Sequence, residues 1–173
     1  MTNLDELVVV ICSGDDVVSG DQAYTGGCQC GAVRFRVGWL GRASVCLCRM
    51  CQKATGGIGG VFVPASNLIF TRGALKHFRS SNKVRRGFCA NCGTPLTFEI
   101  DDGGTGVSIA AFDRAAEIAP VIQMARAARL PWTDALPGLP ERTPEEIAHV
   151  AKHYAGIISY QHPDHDTDHW PPQ

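Results

Sequence analysis

A chain of 173 residues with formal net charge −1 and 45% apolar residues has the composition of one globular domain, large enough to bury roughly two-thirds of its unfolded surface. No apolar stretch approaches the ~20 residues of a membrane span, and Asp5 and Glu6 stand where an export signal carries Lys or Arg. The expected compartment is the reducing cytoplasm, where the chain's eight cysteines favour metal ligation over disulfides.

In chain order, residues 1–23 read as an acidic N-terminal extension whose Cys12 has no neighbouring thiol partner. Residues 24–140 read as the cysteine-bearing domain, built mostly of short strands. Val33, Phe35 and Val37 alternate with Arg34 and Arg36, the period-two pattern of a half-buried strand. Val61–Val63, Leu68–Phe70, Leu96–Ile100 and Val107–Ala111 are further β-rich runs separated by Gly, Pro, Asn and Asp. The predicted class is mainly β, with antiparallel sheets and no βαβ alternation. Ala115–Arg129 is alanine-rich and reads as helix on propensity, although Pro120 interrupts it. Residues 141–173 read as a C-terminal helix and a polar tail. Thr143, Pro144 and Glu146 supply a cap, a first-turn proline and a capping box. Ile147, Val150, Ala151, Tyr154 and Ile158 then fall on one apolar stripe that fades near Gly156. His162, His165 and His169 alternate with acidic residues in the last stretch, which the pattern assigns to a solvated tail.

Seven cysteines fall into three tight groups: Cys28 and Cys30; Cys46, Cys48 and Cys51; Cys89 and Cys92. Thiols one or two residues apart can converge on one soft tetrahedral ion. The two pairs are each followed by glycine, Gly31 and Gly93, which tolerates the left-handed turn of a metal-binding knuckle. Cys28, Cys30, Cys89 and Cys92 are therefore expected to enclose one structural zinc, with a single iron as the alternative metal. Cys46, Cys48 and Cys51 can cover one face of a second zinc and leave a vertex free, unless a remote residue such as Cys12 or His77 closes it. Three thiolate ligands make such an ion a poor activator of water but a good holder of a nucleophilic substrate thiolate.

No Asp or Glu occurs between Gln22 and Phe98, whereas eleven of the sixteen Lys and Arg lie there, alongside the clustered cysteines. Seven thiolates and two divalent ions leave three uncompensated negative charges, which these cations can offset. The same segment could instead attract an anionic ligand. Of the aromatic residues, only Phe78 and Phe88 stand beside the run from Arg79 to Arg86, which counts against single-stranded nucleic acid as the partner. The Gly56–Gly60 run lacks the Gly-Lys-Ser/Thr ending of a phosphate-binding loop.

Taken together, Gly26-Gly27-Cys28-x-Cys30-Gly31-Ala32-Val33, Cys46-x-Cys48-x-x-Cys51-Gln52-Lys53 and Phe88-Cys89-x-x-Cys92-Gly93-Thr94-Pro95-Leu96 resemble the glutathione-dependent formaldehyde-activating enzyme family, whose domain is shared with centromere protein V. The resemblance extends through Arg129-Leu130-Pro131-Trp132 to Gly138-Leu139-Pro140. It implies a β-tent fold with two zinc ions per chain: Cys28, Cys30, Cys89 and Cys92 at the structural site, Cys46, Cys48 and Cys51 at the catalytic one. The implied activity is a carbon–sulfur lyase resembling S-(hydroxymethyl)glutathione synthase, joining glutathione or a related thiol to formaldehyde or another small aldehyde. Lys53, Arg49 or Arg86 would then be candidates to hold the glutathione carboxylates. Gln123-Met124-Ala125 stands where family members often carry a His-Ile-aromatic run, which points to altered substrate preference. The competing reading is a non-enzymatic zinc-binding module that engages nucleic acid or a protein through its basic segment.

Overall fold

The computed structural model describes residues 23–169; the N-terminal extension and Cys12 lie outside the described residues. Strands β1 (Tyr24–Gly27) and β2 (Arg34–Val37) form an antiparallel hairpin with Tyr24 opposite Val37. Strand β6 (Ile69–Arg72) pairs with the other edge of β2, completing a three-stranded sheet. The larger sheet contains β3 (Trp39–Leu40), β4 (Ser44–Cys46), β5 (Gly60–Ser66), β7 (Lys76–Arg79), β8 (Val84–Phe88), β9 (Pro95–Ile100), β10 (Thr105–Ser108) and β11 (Ile122–Met124). Its order is β11-β4-β5-β10-β9-β8-β7, with β3 joined to β5, and every pairing is antiparallel except β11 with β4. Among the described residues two α-helices complete the fold, α1 (Arg49–Thr55) and α2 (Pro144–Tyr154). The architecture is the mainly β, antiparallel one that the short alternating runs predict.

Alternation places the core between the sheets. Phe35 and Val37 of β2, Val63 of β5, Leu96 of β9 and Val107 of β10 are almost completely buried. Phe35 meets Phe70 and Phe112 edge-to-face, with centroids 6.4 and 5.2 Å apart, the geometry that aromatic quadrupoles favour.

Four local expectations are revised. Ala115–Arg129 is not a helix: turns at Ala115–Glu117 and Arg126–Ala128 flank β11, which follows Pro120. Pairing of Ile122 with Ser44 and Met124 with Cys46 satisfies the backbone there and overrides alanine's helical preference. The Val107–Ala111 run leaves the sheet after Ser108 and turns over Ile109–Ala111, which brings Phe112 to bridge Gly26. Helix α2 has its capping box, yet Ile147 and Tyr154 remain 54% and 57% exposed, so the described residues do not cover its stripe. Capping and amphipathic spacing specify a helix locally, whatever the face packs against.

The fourth revision concerns the tail. His162 is 2% exposed, and its backbone N–H donates to the Gln29 carbonyl at 2.7 Å. Its Nε2 lies 3.0 Å from Thr167 Oγ1, while Arg72 donates to the Thr167 carbonyl. Arg34, 3% exposed, makes a bidentate pair with Asp113 at 2.8 and 2.6 Å and donates through Nε to Asp166 at 2.9 Å. The segment from Gln161 to Asp168 is thus a strap over the first sheet, drawn there by cations that an acid-free core segment cannot pair.

Replacing Asp113 with alanine leaves the buried Arg34 charge only Asp166, whose side chain is 53% exposed. The expected cost is ~3–5 kcal/mol, read as a lower urea midpoint with unchanged slope. Burial pushes the Asp113 carboxyl up, but bonds from Arg34 and Thr25 more than offset this and hold it below its ordinary value. A depressed folded-state value stabilises above the unfolded carboxyl's value of about 3.9. That stability fades as the pH falls through the lower folded value, and wild type should lose more stability than Asp113→Asn in acid.

Candidate metal centres

The first centre is built by two chain reversals. Cys28 and Cys30 sit between β1 and β2, and Cys89 and Cys92 between β8 and β9. Gly31 and Gly93 adopt φ of +71° and +78°, the left-handed geometry their positions require. Their amides donate to the Cys28 and Cys89 carbonyls at 3.0 and 2.9 Å, closing each knuckle. The four Sγ atoms all lie within 4.8 Å of one another. Cys28 and Cys30 Sγ are 3.6 Å apart, and Cys30 and Cys89 Sγ 3.9 Å apart. Tetrahedral ligation with Zn–S of 2.3 Å requires an edge of about 3.8 Å, so the spacing fits zinc. All seven described cysteines are free, which removes the disulfide reading for them.

Electrostatics agree with a cation's presence. Burial pushes the Cys28 thiol up to about 12. Burial also opposes ionisation of Cys92, but hydrogen bonding with Thr94 outweighs it and brings that thiol down to about 6. Packed thiols cannot all ionise against one another without a positive charge among them. A divalent ion supplies it.

The second group spans a strand end and a helix start rather than one irregular loop. Cys46 ends β4, held by pairing to Gly60 and Met124, and both Cys46 and Cys51 are 2% exposed. Cys48 is the N-cap of α1, and its Sγ accepts from the Cys51 amide at 3.4 Å. Gln52 fixes the turn from inside, donating to the Leu47 carbonyl at 2.7 Å and the Ala128 carbonyl at 3.1 Å. The three Sγ atoms lie within 4.8 Å of one another, and among the described residues no fourth His, Cys, Asp or Glu joins them. His77 is engaged elsewhere, with Nε2 3.0 Å from Glu99 Oε1. Without an ion, a bond from Cys46, helped by Arg86, lowers the Cys51 thiol to about 5. Donating that bond, with burial added, drives the Cys46 thiol up.

This group opens on one face of the larger sheet. Ser44, Phe62, Pro64, Phe98, Gly106 and Met124 line a cleft beside Cys46 and Cys51, with a free interior of ≈ 20 Å³. That is room for a molecule little larger than water. Met124 belongs to the Gln123-Met124-Ala125 stretch, so the sequence departure falls on the cleft wall.

Of the three basic residues proposed for carboxylate binding, Lys53 and Arg49 are exposed on α1, Arg49 donating to Gln52 at 3.2 Å. Arg86 is different. It is 4% exposed and donates to Cys51 Sγ at 3.4 Å, so its guanidinium belongs to the thiol cluster. Sequence gave no sign of this, because β8 places Arg85 and Arg86 on opposite faces and only register tells which turns inward. Other cations of the basic segment meet carboxylates: Arg79 with Asp101 at 2.7 Å and Arg85 with Glu99 at 2.5 Å.

A crystal structure of a Rhodobacter sphaeroides protein is similar to this chain, at 23% identity and a TM-score of 0.48, covering 58% of this chain and 99% of that one. Residues 23–127, which contain both thiol groups, Arg86 and Met124, match the family described as glutathione-dependent formaldehyde-activating enzyme, and the chain belongs to that family.

Proposed function

We propose that Cys28, Cys30, Cys89 and Cys92 hold a structural zinc ion, that Cys46, Cys48 and Cys51 hold a second, and that the second serves catalysis of thiol addition to a small aldehyde. Glutathione is the proposed thiol and formaldehyde the proposed aldehyde, which makes the enzyme a carbon–sulfur lyase working in a reducing compartment. The observation that carries this reading is the trio of converging sulfurs beside a small apolar cleft. Bound there, the ion would offer a fourth vertex to a substrate thiolate and keep it nucleophilic. In the reaction the thiolate sulfur bonds to the carbonyl carbon, the C=O π pair moves to oxygen, and that oxygen takes one proton.

The chain's own residues supply position and exclusion. Cys46 is fixed by strand pairing, and Cys48 and Cys51 by the first turn of α1. Phe62 and Phe98, with centroids 5.8 Å apart, keep water from the cleft wall. The cleft's size suits a one-carbon aldehyde. The module reading draws less support, since Arg34, Arg79 and Arg85 already meet carboxylates.

The test is zinc content on anaerobically purified protein, together with the rate of S-hydroxymethylglutathione formation from labelled formaldehyde. Two ions per chain and a rate above the uncatalysed one are expected. One ion per chain, or no acceleration, would sink the proposal.

Gly106 offers a check on the cleft. A Cβ there would meet Phe62 Cβ at 3.4 Å and the Phe98 carbonyl at 3.8 Å, ordinary contact distances. Gly106→Ala should therefore fold while taking up part of the space for the aldehyde. Turnover with formaldehyde should fall about 10-fold or more in kcat/KM, the scale of one misplaced methylene.

A further inference from the structure

Arg86 is a buried cation that meets no carboxylate among the described residues. It lies in β8 opposite Phe98 of β9, and its guanidinium carbon is 4.8 Å from the Phe98 ring centroid and 5.9 Å from that of Phe62. Nε donates to Ser80 Oγ at 3.1 Å, and the Ser80 hydroxyl donates on to Met50 Sδ at 3.1 Å. Nη2 donates to Cys51 Sγ at 3.4 Å. Among the described residues no carboxylate pairs with this guanidinium, although Arg34, Arg79 and Arg85 all find one. Aromatic faces and one hydroxyl offset only part of the cost of burying a full charge. The remaining counter-charge is the sulfur of Cys51, and through it the thiol trio.

We infer that Arg86 is a positioning residue that balances the charge of the Cys46, Cys48 and Cys51 centre, so that its free vertex accepts an anionic thiolate in preference to a neutral donor. This rests on the proposed assignment of an ion to that trio. Three thiolates around a divalent ion carry one net negative charge, and an incoming thiolate makes it two. Arg86 brings those states to neutral and to a single negative charge. An anionic fourth ligand gains from the guanidinium; a neutral one, such as imidazole, gains almost nothing.

The test uses the full chain loaded with cobalt at fixed pH, following its visible bands. Wild type, Arg86→Met and Arg86→Lys are each titrated with 2-mercaptoethanol and, separately, with imidazole. Methionine keeps the apolar stem between Phe62 and Phe98 and removes the charge; lysine keeps the charge. Arg86→Met should weaken the mercaptoethanol response by about 10–100-fold, the usual effect of losing a partner behind a metal ligand. Its imidazole response should change by less than about 3-fold, and Arg86→Lys, which keeps the charge but not the stacked guanidinium, should recover part of the thiol response. Equal losses for both ligands, or none for either, would overturn the inference while leaving the metal site standing. Wild type that takes up only one cobalt per chain would overturn the metal assignment itself, and this inference with it. Should Arg86→Met fail to fold, Ser80→Ala carries the test. It frees Nε without removing the charge, and should weaken the mercaptoethanol response alone by about 3-fold; an equal effect on imidazole would count against the role.

Discussion

Replacing Cys89 with serine should leave the chain without a cooperative fold at 25 °C. Cys89 is 1% exposed and one of the two thiols that, through the proposed ion, would fasten the β8–β9 turn to the β1–β2 turn, roughly sixty residues earlier in the chain. That fastening would join the three-stranded sheet to the β8–β9 part of the larger one. A structural zinc contributes on the order of 10 kcal/mol of apparent folding free energy, whereas whole domains retain only about 5–15 kcal/mol. An alcohol cannot ionise to replace the thiolate, so loss of one ligand should release the ion and most of this stability. The strap adds to the dependence: the Gln29 carbonyl that receives the His162 amide lies between Cys28 and Cys30. Circular dichroism and proton NMR of Cys89→Ser should show no cooperative melt and no dispersed amide signals. Wild type dialysed against a strong chelator should behave alike. A sharp melt within a few degrees of wild type in either sample would refute a structural ion at this position.

The sequence disclosed the parts of this molecule whose determinants are local. Alternation at Val33, Phe35 and Val37 marks a strand whatever its partner. The capping box at Thr143 and Glu146 marks a helix start, and both hydrogen bonds are present at 3.2 and 2.8 Å. The glycines after each cysteine pair announced a left-handed turn, and both have it. What escaped was decided by long-range pairing. Nothing within Ala115–Arg129 indicates that β11 will lie parallel to β4, since that pairing is chosen by residues some eighty positions away. His162 looked solvated because its neighbours are acidic. Those acids are what bind the strap, through Asp166 on Arg34. A charge map could have suggested this, since a core segment holding cations but no acids must find its counter-charges elsewhere. Arg86 was visible as a basic residue, but the role proposed for it follows from the face of β8 it occupies.

The separation between the two thiol centres yields the converse prediction at Cys48. This residue is half-buried, supplies one ligand of the proposed catalytic site, and caps α1 through its sulfur. Serine is among the preferred N-cap residues because its hydroxyl accepts the same first-turn amide. Cys48→Ser should therefore keep the helix, the sheet and the closed centre, and melt within a few degrees of wild type. It should nevertheless bind one ion instead of two. Thiol–aldehyde addition should fall by more than about 100-fold in kcat/KM, beyond the range seen when only a residue behind a metal ligand is lost. The paired variants then divide the molecule by consequence: Cys89→Ser removes structure and activity together, Cys48→Ser removes activity alone. A Cys48→Ser protein that keeps two ions and wild-type turnover would show that the trio is not the reacting centre, whatever metal the quartet holds. One that unfolds like Cys89→Ser would show instead that both centres are structural, and that the apolar cleft beside Cys46 and Cys51 opens onto a scaffold rather than a catalyst.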